Sequence, residues 1–341
     1  MSSRSVIILS RTDGIGDVVL TLPCAGLMKK LHPGVQILFV GKSYTRPVIE
    51  ACEHIDMFIN WDDLQNQPFC EQVDYVKSLG ADAIVHVFPD RRLARLADKA
   101  RIPLRIGTSH RFQHWLTCNR LVNVGRKRSP LHEAQLNALL FRPLGVTDVS
   151  SLTELGGLCG LTRPAALDGG FEKLLDPTRF NLILHPKSKG SAREWGIVNF
   201  SELISLLPEE RYKIFISGSK EEGEALRTQG FPWGDNVTDI TGMMSLEQFI
   251  AFISRADGLV ACSTGPLHIA AALGKAAVGL YAPMRPIHPG RWSPIGARAG
   301  YLVQESQCQA CRHEQHCSCI ESITPERVVA MLNKLATKES F

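Results

Sequence analysis

The chain has 341 residues, 44% hydrophobic and 21% charged, with a formal net charge of +4. That length suits two domains of ordinary size, and so mild a charge gives no reason to expect general nucleic-acid binding. No apolar run approaches the roughly 18–20 residues of a membrane span. Val6 to Leu9 is too short for a signal-peptide core. A cytoplasmic protein is the expectation, and its ten cysteines are expected to be mostly reduced thiols.

Val6 to Leu9 reads as a first strand. It runs into Arg11-Thr12-Asp13-Gly14-Ile15-Gly16-Asp17 and then a helical pattern through Leu20, Leu22, Leu27 and Leu31. Strand-like runs follow at Gln36 to Val40, Met57 to Asn60, Ala83 to Phe88 and around Leu104 to Ile106. They alternate with helical stretches at Arg46 to Cys52, Glu71 to Leu79 and Arg91 to Lys99. Such alternation predicts a parallel sheet with helices on both faces. The Gly14-Ile15-Gly16-Asp17 turn lacks the third glycine of a dinucleotide fingerprint, which argues against an NAD enzyme. Arg111 to Arg128 is rich in Arg, Lys and His, and His132-Glu133 opens a helix reaching about Leu144.

Ser150 to Pro177, with Gly, Pro and weak periodicity, reads as the connection between domains 1–160 and 161–341. A second alternation begins with a strand at Asn181 to His185, a loop Pro186 to Arg193 and a helix Ile197 to Leu207. The strand Lys213 to Ser217, the turn Gly218-Ser219 and the helix Lys220 to Thr228 come next. A strand near Val237 to Ile240 and a helix Leu246 to Ser254 lead to the most informative stretch, Ala256 to Pro283. There the run Leu259 to Ala261 meets the turn Ser263-Thr264-Gly265-Pro266, then a helix Leu267 to Leu273 and a strand Ala277 to Tyr281. A strand, a glycine turn and a helix N-terminus offer free N–H groups and a positive dipole end suited to a phosphate. Pro266 fits the first turn, where its missing N–H costs nothing, and His268 is one turn inside. An ordinary turn with a structurally satisfied His is the other reading of the same residues. The closing helix, Pro325 to Leu335, has Thr324 as its predicted N-cap and is assigned to packing back on the first domain.

Four of these stretches, in this order, resemble glycosyltransferase family 9, the ADP-heptose:lipopolysaccharide heptosyltransferases. They are Gly16-Asp17-x-x-x-Thr21-Leu22-Pro23; the loop Lys187 to Trp195; Thr241-Gly242 followed by Ser245-Leu246; and Ser263-Thr264-Gly265-Pro266-Leu267-His268-Ile269-Ala270-Ala271. The resemblance implies an α/β GT-B architecture: two Rossmann-like, doubly wound domains facing across a cleft, acceptor on the first and nucleotide-sugar on the second. It also implies inverting, metal-independent transfer of a heptose from ADP-heptose to the lipopolysaccharide inner core, with no cofactor and no nucleic-acid partner.

Inverting transfer needs a base for the acceptor hydroxyl and charge stabilisation for the departing diphosphate. Asp17 matches the family's catalytic aspartate by its Gly-Asp context; helix capping is its alternative role. Lys187, Ser188, Lys189 and Arg193 lie on a loop where donor phosphates are expected, Arg193 standing where the family usually has lysine. Thr264, Gly265 and His268 complete that site, while Ser263 stands where many members carry an acid. Gly218, Ser219 and Glu222 are assigned to the ribose, Met243 and Met244 to the adenine border. An anionic glycolipid acceptor suits Arg91, Arg92, Arg111, Arg120, Arg126, Lys127 and Arg128, and the same basic face suits the anionic inner membrane. No Asp-x-Asp metal pair is present. Cys308, Cys311, Cys317 and Cys319 form a set that tetrahedral zinc can use, with free thiols or a labile disulfide as the other readings. The same chemistry on another nucleotide-sugar, and a binding protein without turnover, remain the competing functions.

Overall fold

The computed structural model describes residues 5–234, 236–285, 287–304 and 318–336. The chain divides into two compact units, Met1–Arg163 and Pro164–Phe341. The first contains six strands: β1 (Val6–Ser10), β2 (Gln36–Gly41), β3 (Met57–Asn60), β4 (Ala83–His86), β5 (Leu104–Thr108) and β6 (Arg120–Val122). Every pairing is parallel and the order is β3-β2-β1-β4-β5-β6. Ile7 lies opposite Ile37 on one side and Ala83 on the other, which fixes β1 at the centre. Ile7, Ile8 and Leu9 are all buried, as a strand covered on both faces requires. Each such side chain contributes about 1.5–3 kcal/mol of burial.

The second unit repeats the plan with β7 (Phe180–His185), β8 (Tyr212–Ile216), β9 (Val237–Asp239), β10 (Gly258–Cys262), β11 (Ala276–Tyr281) and β12 (Ala299–Val303). Its order, β12-β11-β10-β7-β8-β9, is again wholly parallel. The core joins Leu182, Leu184, Val260 and Val278 to Trp195, Phe200, Ile320, Val328 and Leu332. Trp195 is completely buried, its indole N–H donating to the Ile323 carbonyl at 2.8 Å. The helix Pro325–Ala336 packs against the helix Ile197–Leu206 and against β11 and β12, inside this unit.

The structure departs from the sequence reading most clearly in the following elements. The helical pattern after Gly14 is two helices, Ile15–Val19 and Leu22–Leu31. Pro23 has no N–H for the Val19 carbonyl and its ring crowds that turn, so one continuous helix is excluded. The basic stretch after Arg111 holds a short helix, Phe112–Thr117, and the strand β6. The segment read as a bare connection contains the helices Leu152–Gly157 and Gly169–Glu172. Strand β12 was not foreseen; its Tyr301 is exposed, and the alternation Ala299 to Val303 is weak.

Candidate functional site

Both sheets change winding direction at one point, between β1 and β4 in the first and between β7 and β10 in the second. Loops leaving the carboxyl ends of strands at such a switch point are where open α/β sheets hold ligands. The chain between β1 and the helix Ile15–Val19 is that loop in the first unit. Its Arg11 is 3% exposed and is the hub of the local charge network. The guanidinium forks onto Asp13, with Nε to Oδ1 at 2.7 Å and Nη2 to Oδ2 at 3.0 Å. Nη2 also donates to Asp17, and Nη1 reaches Glu133 Oε1 and Asn137 Oδ1, each at 3.2 Å. Arg126 binds the same Glu133 and donates to Asn137 Oδ1.

Asp17 lies inside the first turn of its helix, whose N-cap position is Gly14. Its carboxylate is turned to Arg11 rather than used as the cap residue. Burial pushes Asp17 up to about 6, against the pull of Arg11 and with Asp13 and Glu133 adding to the rise. A carboxyl tuned this way is protonated in acid and a competent base near neutrality. The floor beneath it is fixed by hydrogen bonds: Thr21 Oγ1 donates to the Asp17 carbonyl at 2.8 Å, and Asn137 Nδ2 donates to Thr21 Oγ1 and to the Leu20 carbonyl. A Cβ at position 14 would sit 3.1 Å from Asp17 Oδ2, so any larger residue there would push the carboxylate by a few tenths of an ångström. Beside this loop His86, at the end of β4, is buried against Ser10 and pulled down to about 3 by burial, so it is neutral.

Arg91, Arg92, Arg111, Arg120, Lys127 and Arg128 are all exposed. Arg92 donates to the Gln65 carbonyl and Arg120 to that of Asn119. Arg126 is different, since it is built into the Glu133 network. Sequence reasoning passed over Arg11, Glu133 and Asn137. They lie on elements more than a hundred residues apart, and only the fold joins them.

In the second unit the loop after β7 is closed on itself by Glu194. That carboxylate accepts from Lys187 Nζ at 3.1 Å and from the Ser188 N–H at 3.1 Å, and Lys187 also reaches Gln229. Lys189 has φ +48° and Gly190 φ +78°, so the loop turns sharply between the buried Ser188 and the half-buried Arg193. The loop after β10 leads to the helix Gly265–Ala272, with Thr264 as N-cap in extended conformation. Thr264 is 6% exposed, makes no side-chain cap bond, and its Oγ1 has no partner among the described residues. A buried hydroxyl left over beside free helix N–H groups is a donor set for an anion. Gly265 and Ser263 are half-buried beside it, and His268 is buried one turn further on. Ser263 also hydrogen-bonds the Tyr281 phenol.

Gly218 follows β8, and Ser219 and Glu222 satisfy each other there. Ser219 Oγ accepts the Glu222 N–H at 3.3 Å while Glu222 Oε2 accepts the Ser219 N–H at 2.7 Å. This is the capping box of the helix Lys220–Thr228, a role the Ser-x-x-Glu spacing carries by itself. Met243 is 52% exposed and Met244 half-buried, so neither fills the core. Among the described residues no cluster of three or more His, Cys, Asp or Glu is arranged to hold a metal ion. Cys308, Cys311 and Cys317 lie outside the described residues; Cys319 is buried.

Against known proteins, the family model of glycosyltransferase family 9 (heptosyltransferase) matches residues 96–319. A provisionally named glycosyltransferase of Haemophilus influenzae is 25% identical over 301 residues, covering 85% of this chain and 86% of its own. Lipopolysaccharide heptosyltransferase 2 of Escherichia coli K12 is 29% identical over 164 residues, 44% of each chain. The solved structure of E. coli ADP-heptose LPS heptosyltransferase II superposes with a TM-score of 0.73 at 18% identity, covering 98% of this chain and 99% of that one. The fold is therefore the α/β GT-B type, and the chain belongs to glycosyltransferase family 9. It is a glycosyltransferase of the heptosyltransferase family of lipopolysaccharide core biosynthesis.

Proposed function

We propose that this enzyme moves a heptose from ADP-heptose to the inner core of lipopolysaccharide, with inversion and without a metal ion. The observation that carries the reading is Asp17, half-buried at the switch point of the first sheet and raised to about 6 chiefly by burial. As base, Asp17 takes the proton of the acceptor hydroxyl while that oxygen attacks the anomeric carbon and the bond to the diphosphate breaks. The diphosphate leaves toward the N-terminus of the helix Gly265–Ala272, where Thr264 Oγ1 and the first N–H groups receive charge. Lys187, Ser188 and Arg193 add donors from the loop after β7, and His268 adds another from inside the helix. Gly218 borders the ribose and Met244 the adenine. Arg91, Arg92, Arg111, Arg120 and Lys127 receive the acidic acceptor. Protein cations and dipoles stabilise the leaving group, and no cofactor enters the reaction. The enzyme works at the cytoplasmic face of the inner membrane, where such a glycolipid is built.

A thermal-shift panel of ADP, UDP, GDP and their sugars tests the donor. ADP compounds at about a hundred times their dissociation constant are expected to add roughly 2.7 kcal/mol of stability. A response to UDP- or GDP-sugars alone would instead favour the second reading, the same chemistry on another donor. Ser263, paired with Tyr281 in a place where an acid is common, is the observation behind that second reading.

The pH profile follows from the direction of the Asp17 shift. Below its pKa the carboxyl is protonated and cannot accept, so kcat/KM is expected to rise with pH through about 6 and then level. A profile flat from pH 5 to 8, measured with saturating donor, is incompatible with Asp17 as base.

A further inference from the structure

The helix Phe112–Thr117 carries an apolar face that no described residue covers. Phe112 is 77% exposed, Trp115 61% and Leu116 70%. Positions i, i+3 and i+4 of a helix share one side, so the three form one patch rather than scattered contacts with water. The same helix is held firmly from beneath. His114 is fully buried with Nδ1 3.2 Å from the Thr108 carbonyl, and Trp115 Nε1 donates to the Ser109 carbonyl at 2.8 Å. The outward rings are thus presented by the fold. Isolated exposed hydrophobics are ordinary, whereas a contiguous patch marks an interaction site.

The charge around it selects the partner. From Lys99 to His132 the sequence holds eight Lys or Arg and no Asp or Glu. Arg105 and Arg126 are engaged with Asp98 and Glu133. Lys99, Arg101, Arg111, Arg120, Lys127 and Arg128 are exposed and make no ion pair among the described residues. Two copies of a segment so uniformly cationic repel each other, which counts against self-association. Leu116, an aliphatic in the middle of the patch, has no stacking role on a nucleic-acid base. Trp and Phe beside Leu, flanked by arginines, match the interface of an anionic bilayer: apolar rings enter the headgroup boundary and cations meet the lipid charge.

We infer that the helix Phe112–Thr117, with its flanking cations, is the surface by which the enzyme docks on an anionic lipid bilayer. The inference rests on the glycolipid-acceptor reading above and deepens it by naming the face that meets the membrane.

Flotation of the full chain with phosphatidylcholine–phosphatidylglycerol vesicles, free of any glycolipid, tests it. The protein is expected to float with the mixed vesicles, to bind pure phosphatidylcholine more weakly, and to release as salt rises. Phe112→Ser/Leu116→Ser is expected to weaken vesicle binding by about tenfold or more. Both side chains face water, so the unfolding midpoint and transfer to a delipidated oligosaccharide acceptor stay unchanged. Brominated lipid is expected to quench Trp115, and Trp115→Phe to remove that quenching while binding persists. Undiminished vesicle binding by the double variant would overturn the surface. So would a parent protein that does not float, that self-associates through these residues instead, or that is captured only by single-stranded oligonucleotide. Floating without any sugar transfer upholds the docking face and sinks the catalytic reading; transfer to the delipidated acceptor without floating does the reverse.

Discussion

Asp17→Asn is expected to lower kcat by about 100- to 10,000-fold, the range that a positioned general base contributes. Donor affinity, read by titration with ADP, is expected to be unchanged, because the proposed phosphate donors, Ser188 and the N-terminus of the helix Gly265–Ala272, belong to the second unit. The variant is also expected to keep its thermal stability at pH 8 or to gain some. Asp17 is raised from the usual carboxylate range by burial. The folded state therefore holds the proton longer than the unfolded state, and stability declines as pH rises between about 4 and 6. The neutral amide relieves that tension while keeping the size and the acceptor oxygen for Arg11. Loss of turnover in a protein that melts no lower separates chemistry from folding, which an Asp17→Ala change at a hydrogen-bonded site cannot do. Full activity in Asp17→Asn would remove the base, and a binding protein without turnover would show no difference between parent and variant in any transfer assay.

Much of the architecture was legible because its strands are buried on both faces. Val6 to Leu9, Leu259 to Ala261 and Ala277 to Tyr281 are short apolar runs bounded by turn residues, and each is a strand within a residue or two. Of the four edge strands, β3 and β9 were legible and β6 and β12 were not. Arg120–Val122 offers three residues with an exposed arginine first, and Ala299–Val303 starts with Ala-Gly, so neither carries a burial pattern. The glycine turns at Gly14 and Gly265 stand at the switch points, as strand alternation implies. The environment of Asp17 was hidden because its determinants are remote. Nothing in Arg126-Lys127-Arg128 reveals that the first turns inward to Glu133 while the other two stay exposed. Ser219 and Glu222 are a reverse case: their Ser-x-x-Glu spacing alone spells out the capping box that the structure contains, whatever they do toward a ribose.

Arg11→Met is expected to destabilise the first unit by about 3–5 kcal/mol, the cost of leaving buried charge without its partner. Arg11 is 3% exposed and touches three carboxylates, of which Glu133 is 1% exposed. Its methionine replacement fills the volume, so the loss reads the charge rather than a cavity. Arg126 remains on Glu133, which localises the damage to Asp13 and Asp17. Two consequences follow that a packing defect cannot mimic. The rising limb of kcat/KM moves to higher pH, because the cation that holds Asp17 ionised has gone and burial is unopposed. Adding Asp17→Asn to Arg11→Met restores part of the lost stability, since it deletes one of the stranded carboxylates, and the two changes are strongly non-additive. Urea unfolding of the two single variants and the double variant measures that coupling. A change below about 1 kcal/mol for Arg11→Met would mean that water screens this network as it does a surface ion pair. Asp17 would then owe its tuning to burial alone, with Arg11 reduced to holding the loop's shape.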